Sequence, residues 1–135
     1  MKITLFYIGK PRSREANLLA EDYAARIERF CRFEMVQLRN EREAEKQGGK
    51  ALRVILDPAG DAMRSEEMAR LVEGAGRDIA FFVGGADGFS EEFRKSGDRL
   101  LSLSQMTLPH ELARVILTEQ IYRAFTILRN HPYPR

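Results

Sequence analysis

The sequence predicts an α/β fold, a mostly parallel sheet flanked by helices. Short runs rich in β-branched and aromatic residues alternate with stretches whose apolar residues recur at helical spacing. One run, Ile79-Ala80-Phe81-Phe82-Val83, is apolar on both faces, as a central parallel strand must be. Several of these runs end at turns containing glycine or proline. With 135 residues, no internal repeat and no low-complexity linker, residues 1–135 read as one domain, large enough to bury a core without disulfides or metal.

The first strand covers residues 2–8 and stops at Gly9-Lys10-Pro11. Ser13 caps a helix over 14–29, whose inward face is expected to carry Leu18, Leu19, Tyr23, Ile27 and Phe30. Residues 33–38 alternate and form a second strand, and the charged stretch 39–51 is a loop. Leu52 to Leu56 is a strand ending at the turn Asp57-Pro58-Ala59-Gly60. Ser65 caps a helix running to about Gly76. Ile79 to Val83 is followed by Gly84-Gly85-Ala86-Asp87-Gly88, a short helix from Ser90, and a last strand over 99–103. The helix over 111–128 is apolar around much of its girth, more than one core face needs, so it is expected to pack against a second copy of the chain.

Composition narrows the class. The chain is 44% apolar and 31% charged, as in ordered globular proteins. Its one cysteine, Cys31, cannot form an internal disulfide and has no partner at metal-ligand spacing, so it reads as a structural thiol in a reducing, cytoplasmic setting. The apolar run Ile3 to Ile8 is too short for a signal-peptide core, and no stretch reaches the roughly 20 apolar residues of a membrane helix. The net charge is +2, but residues 1–53 and 99–135 are basic and 54–98 acidic, which allows a basic surface where the two ends meet.

Several chemistries lack their signatures. There is no G-x-G-x-x-G, no Walker A sequence, no Cys/His cluster at zinc spacing and no G-x-S-x-G elbow. No metal site is expected. In open α/β sheets ligands bind outside the carboxyl ends of strands, which directs attention to Leu56 to Gly60, Gly84 to Gly88 and Ser102 to His110. The third segment offers many backbone donors and acceptors to a heterocycle. His110 and His131 are the only histidines.

Four blocks, Phe82 to Gly88, Leu101 to Val115, Glu119 to Ala124 and Asn130 to Tyr133, resemble the signature blocks of the RlmH (YbeA-like) family in order and spacing. That resemblance implies a SPOUT-type α/β domain with a C-terminal trefoil knot. It implies a homodimer without a separate RNA-binding domain. The activity implied is methylation of N3 of a pseudouridine in large-subunit (23S) ribosomal RNA within the assembled ribosome, with neither DNA nor a membrane as partner. The chain departs from the family pattern twice. The 39–51 stretch is too short for the family's full additional helix, and the tail reads His131-Pro132-Tyr133-Pro134-Arg135, with Pro134 where the family has histidine.

The resemblance assigns S-adenosylmethionine to Leu56, Gly84, Gly85 and the loop Leu103, Ser104, Gln105, Met106, Thr107 and Leu108. It leaves His110, His131, Tyr133 and Arg135 as candidates for handling the proton and charge of the acceptor base. Two alternatives stay open: a non-catalytic knotted protein that binds ribosomes or RNA, and an α/β module for another nucleotide.

Overall fold

The computed structural model describes residues 1–134. Five strands, β1 (Lys2–Ile8), β2 (Arg32–Leu38), β3 (Leu52–Ala62), β4 (Ile79–Val83) and β5 (Arg99–Ser102), form one sheet in the order β2-β1-β4-β3-β5. Every pairing is parallel. The helices are α1 (Arg14–Ile27), α2 (Glu41–Glu45), α3 (Ser65–Gly74), α4 (Glu91–Lys95) and α5 (His110–Leu128). The α/β class read from the sequence is the observed one.

Strand β4 shows why both faces are apolar. Ile79, Phe81 and Val83 enter the larger core with α1, α3 and α5, while Ala80 and Phe82 enter a smaller core with Phe6, Ile55, Ala44 of α2 and Phe93 of α4. All five β4 residues are buried.

The structure corrects several local expectations. Ser13 does cap α1, its hydroxyl accepting from the Ala16 N–H at 3.2 Å. But Leu18 and Leu19 are 53% and 46% exposed, and the buried face carries Ala16, Ala20 and Ile27. The two alanines meet Val115 of α5, a contact that keeps large side chains out. The 39–51 stretch is not all loop: Asn40 accepts from the Glu43 N–H at 3.0 Å and starts the short α2, anchored by fully buried Ala44. Asp57 to Gly60 does not end β3. The strand bulges there, and both Leu56 and Asp61 face Leu101 of β5. A Cβ at Gly60 would stand 2.7 Å from the Leu100 carbonyl carbon, so this backbone approach admits only glycine. The cap of α3 is Arg64, whose N–H donates to Glu67 at 3.3 Å, and Ser65 instead bonds Gln120 at 2.7 Å.

Helix α5 packs on the sheet and contacts both α1 and α3. Leu117, Ile121 and Ala124 have no exposed surface, and Val115, Tyr122 and Phe125 are buried. Most of its apolar girth is therefore used within one chain, with Leu112 left 49% exposed.

Candidate active site

The carboxyl ends of β3, β4 and β5 open into a cavity of about 340 Å³. Of the residues the sequence assigned to a cofactor, Leu56, Gly84, Gly85, Leu103, Ser104, Met106, Thr107 and Leu108 line it, and His110 stands in its wall. Gln105 does not line it; that side chain is exposed. Asp57 and Arg94, an ion pair at 3.7 Å, also contribute. Asp57 belongs to a strand-end segment to which the sequence already points. Arg94 carried no sequence signal, because α4 alone brings it to the cavity.

Local chemistry shapes the walls. After β4 the chain turns tightly, with the Gly88 N–H donating to the Gly85 carbonyl at 3.0 Å and Gly88 at φ +68°. A Cβ on Gly84 would press on Gly88 at 3.2 Å, whereas one on Gly85 would touch only Ile8, at 3.6 Å. Gly84 is thus needed by the turn itself, and Gly85 is not. After β5, the Ser102 hydroxyl donates to the Ser104 carbonyl at 3.0 Å, and the Met106 N–H donates to the Ser104 hydroxyl at 2.9 Å. These bonds hold the loop in a curl whose rim is Met106, 79% exposed.

The tail lies elsewhere. At the end of α5 Asn130 takes φ 52°, and the His131 N–H bonds the Thr126 carbonyl at 2.9 Å, reversing the chain. The tail then runs back along α5. The Tyr133 hydroxyl donates to Glu119 at 2.9 Å, and its ring meets Tyr122 edge-on at 4.8 Å. Arg123 lies 4.8 Å over the Tyr133 ring and pairs with Glu119 at 2.7 Å. Burial first, then the hydrogen bonds with Tyr23 and Glu119, push the Tyr133 phenol well above its ordinary range. Held this way, Tyr133 is a hydrogen-bond donor and not a base.

His131 and Tyr133 line a second cavity, about 650 Å³, with Ser65, Gln120 and Arg123. Glu119, where Tyr133 is held, lies nine residues along α5 from His110, roughly 14 Å of helix rise. One chain therefore brings His110 to the strand-end cavity but does not bring His131 or Tyr133 there. Arg135 lies outside the described residues.

Fold and cavity together define an α/β protein in which strand-end loops of a parallel sheet wall a cavity, with no glycine-rich loop after β1. The chain belongs to the SPOUT methyltransferase family: the family model described as "Predicted SPOUT methyltransferase" matches residues 1–134. It is 48% identical over 139 residues to the Ribosomal RNA large subunit methyltransferase H of Solibacter usitatus, covering 100% of both chains. It is 40% identical over 136 residues to a protein of that name from Thermus thermophilus, covering 100% of this chain and 99% of the relative. Among solved structures, a probable methylase family protein from Haemophilus influenzae aligns with TM-score 0.61 at 14% identity, over 99% of this chain and 71% of that one. The SpoU methyltransferase AviRb from Streptomyces viridochromogenes, solved with its cofactor AdoMet, aligns with TM-score 0.50 at 13% identity, over 90% of this chain and 56% of that one. These two likenesses concern the fold.

Proposed function

We propose that this chain transfers a methyl group from S-adenosylmethionine to large-subunit (23S) ribosomal RNA, with N3 of a pseudouridine in the assembled ribosome as acceptor. The observation that carries the reading is full-length identity of 48% to a protein named for that RNA. The cavity suits the cofactor chemically. Leu56, Leu103 and Leu108 offer apolar contact to an adenine, the backbone of the two loops offers donors and acceptors, and Gly85 leaves space free of a side chain. The whole of residues 1–135 would act as one SPOUT domain. A C-terminal trefoil knot belongs to the reading, supported by the return of α5 from edge strand β5 to a place against both α1 and α3. Among the described residues no helix is long and apolar enough to cross a membrane, and the proposed substrate places the protein in the cytoplasm.

When bound, S-adenosylmethionine supplies a methyl group already activated on a sulfonium. The chain's share is alignment and exclusion of water. The acceptor nitrogen must lose a proton, and His110, which lines the cavity, would take it. His131, Tyr133 and Arg135 would act on the cavity of a second copy, with Tyr133 donating a hydrogen bond and Arg135 meeting charge that develops on the base carbonyls. A homodimer is accordingly part of the proposal, supported by exposed Leu18, Leu19 and Leu112 on α1 and α5. A monomer mass by light scattering at micromolar concentration refutes it.

One observation favours a non-catalytic ribosome-binding protein instead: Pro134 stands where the family tail has histidine. Calorimetry with S-adenosylmethionine and mapping of methylated nucleotides, using ribosomes from a strain lacking the gene, separate the readings. The proposal expects cofactor binding and one new N3-methyl group. Binding without transfer supports the alternative, and neither overturns both.

A further inference from the structure

We propose that Lys10, Arg12 and Arg14, in the connection between β1 and α1, form a landing site for phosphates of the RNA substrate beside the cofactor cavity. This rests on the reading that RNA is the acceptor. All three side chains are exposed, and none has a carboxylate at ion-pair distance among the described residues.

Their position works against local stability. Arg12 and Arg14 bracket Ser13, the N-cap of α1, where the helix dipole already presents positive charge. The N-terminus of α5 meets the same loop: Glu111 accepts from the N–H groups of Arg12 and Ser13 at 2.8 and 3.0 Å. These two bonds, that from Ser13 foremost, hold the Glu111 carboxyl below its ordinary range and commit one of its oxygens to the backbone. Glu15 in the first turn of α1 is a second acid. Beneath the loop lies Arg114, 2% exposed, whose hydrogen-bond and ring contacts are neutral, the Asn17 side-chain oxygen at 2.8 Å, the Met35 sulfur at 3.8 Å and the Tyr7 ring at 4.1 Å, and whose charged neighbour is the Glu111 carboxylate. Two helix N-termini and four cations thus converge against two carboxylates, Glu111 and Glu15, which leaves a net positive charge. A phosphodiester supplies what is missing, because phosphate contacts are what exposed Lys and Arg give to nucleic acids.

The location fits that use. Lys10, Arg114, His110 and Gly84 line one narrow recess, and His110 and Gly84 also wall the cofactor cavity. A strand gripped at this loop passes directly beside the place where the methyl group is offered. The recess itself holds about 10 Å³, too little for a ligand, so the phosphates must lie on the outer surface of the loop.

The test compares the full-length protein with the triple variant Lys10→Gln, Arg12→Gln, Arg14→Gln. Binding to large ribosomal subunits and methyl transfer are measured over a graded KCl series, with S-adenosylmethionine affinity by calorimetry. Loss of three phosphate contacts should lower the slope of log affinity against log salt by about 2. At low salt KM for ribosomes should rise roughly tenfold or more, with kcat and cofactor affinity unchanged. The thermal midpoint should hold or rise, since cations leave a helix N-terminus. An unchanged salt slope and KM overturn the proposal. So does a parallel loss of cofactor affinity, which would assign these cations to the carboxylate of S-adenosylmethionine. If the unsubstituted protein binds ribosomes but transfers no methyl, the catalytic reading fails and the salt slopes still decide the landing site. If it does not bind ribosomes, both fail.

Discussion

Glu119→Ala should release the tail while leaving the fold intact. Glu119 receives the Tyr133 hydroxyl at 2.9 Å and the Arg123 guanidinium at 2.7 Å, and Arg123 in turn covers the Tyr133 ring. A hydrogen bond to a charged group contributes about 1.5 kcal/mol or more. The Glu119–Arg123 pair, with side chains 18% and 22% exposed, lies within α5 at i,i+4, so its loss, about 0.5 kcal/mol, falls on the helix and not on the docked tail. The docked tail should therefore lose about 1.5 kcal/mol, a roughly tenfold shift toward the released state. Alanine is the better helix former, so α5 should persist. Hydrogen exchange should show the His131 amide, bonded to the Thr126 carbonyl, speeding up by as much as that factor, with the core amides unchanged. Tyrosine titration gives an independent reading. The phenol of Tyr133 is held above its ordinary range mainly by burial and partly by Glu119. Its pKa should fall toward the usual tyrosine value of about 10. Because the neutral phenol is the form held in the folded chain, tail docking in the unsubstituted protein should weaken as pH rises above about 10. Tail exchange within about twofold of the parent, together with an unmoved titration, would refute the latch.

Gly85→Leu should stay folded, because a Cβ there meets only Ile8 at 3.6 Å, yet should lose S-adenosylmethionine binding in calorimetry; undiminished affinity would remove Gly85 from the cofactor site. Gly60→Ala should be destabilised by about 1–3 kcal/mol, read as a lower denaturant midpoint, since its Cβ would stand 2.7 Å from the Leu100 backbone. Burial pushes the Cys31 thiol up to about 11, so its alkylation should be slow at neutral pH and accelerate as pH rises toward that value. Deleting residues 130–135 should leave cofactor affinity within about threefold, near 0.7 kcal/mol, and lower methyl transfer at least about a hundredfold.

The sequence by itself determined the α/β class, the five strands and the long last helix, because burial on both faces and helical spacing are written in short stretches of chain. Ile79 to Val83 reads as a central strand and is one, and Ser13 reads as a cap and caps α1. The glycines after β4 and the loop after β5, which the fold brings to one cavity, were legible as a candidate site because ligands gather at strand ends. Tertiary structure decided the rest. Leu18 and Leu19 share a helix with Ala16 and Ala20, and only the close approach of α5 makes the alanines the inward face. Pro58 to Gly60 satisfy every local rule for a turn, yet pairing with β5 carries β3 through them as a bulge. Most of the apolar girth of α5 is taken up by α1, α3 and the sheet, and only the packing shows which part, Leu112, stays exposed. The tail's direction depends on the left-handed turn at Asn130 and on Glu119 waiting along the helix, which together keep His131 and Tyr133 away from the loops that hold His110. Local preferences choose elements within about a dozen residues. Which elements meet is settled by packing between segments far apart in the chain, and no local pattern encodes that choice.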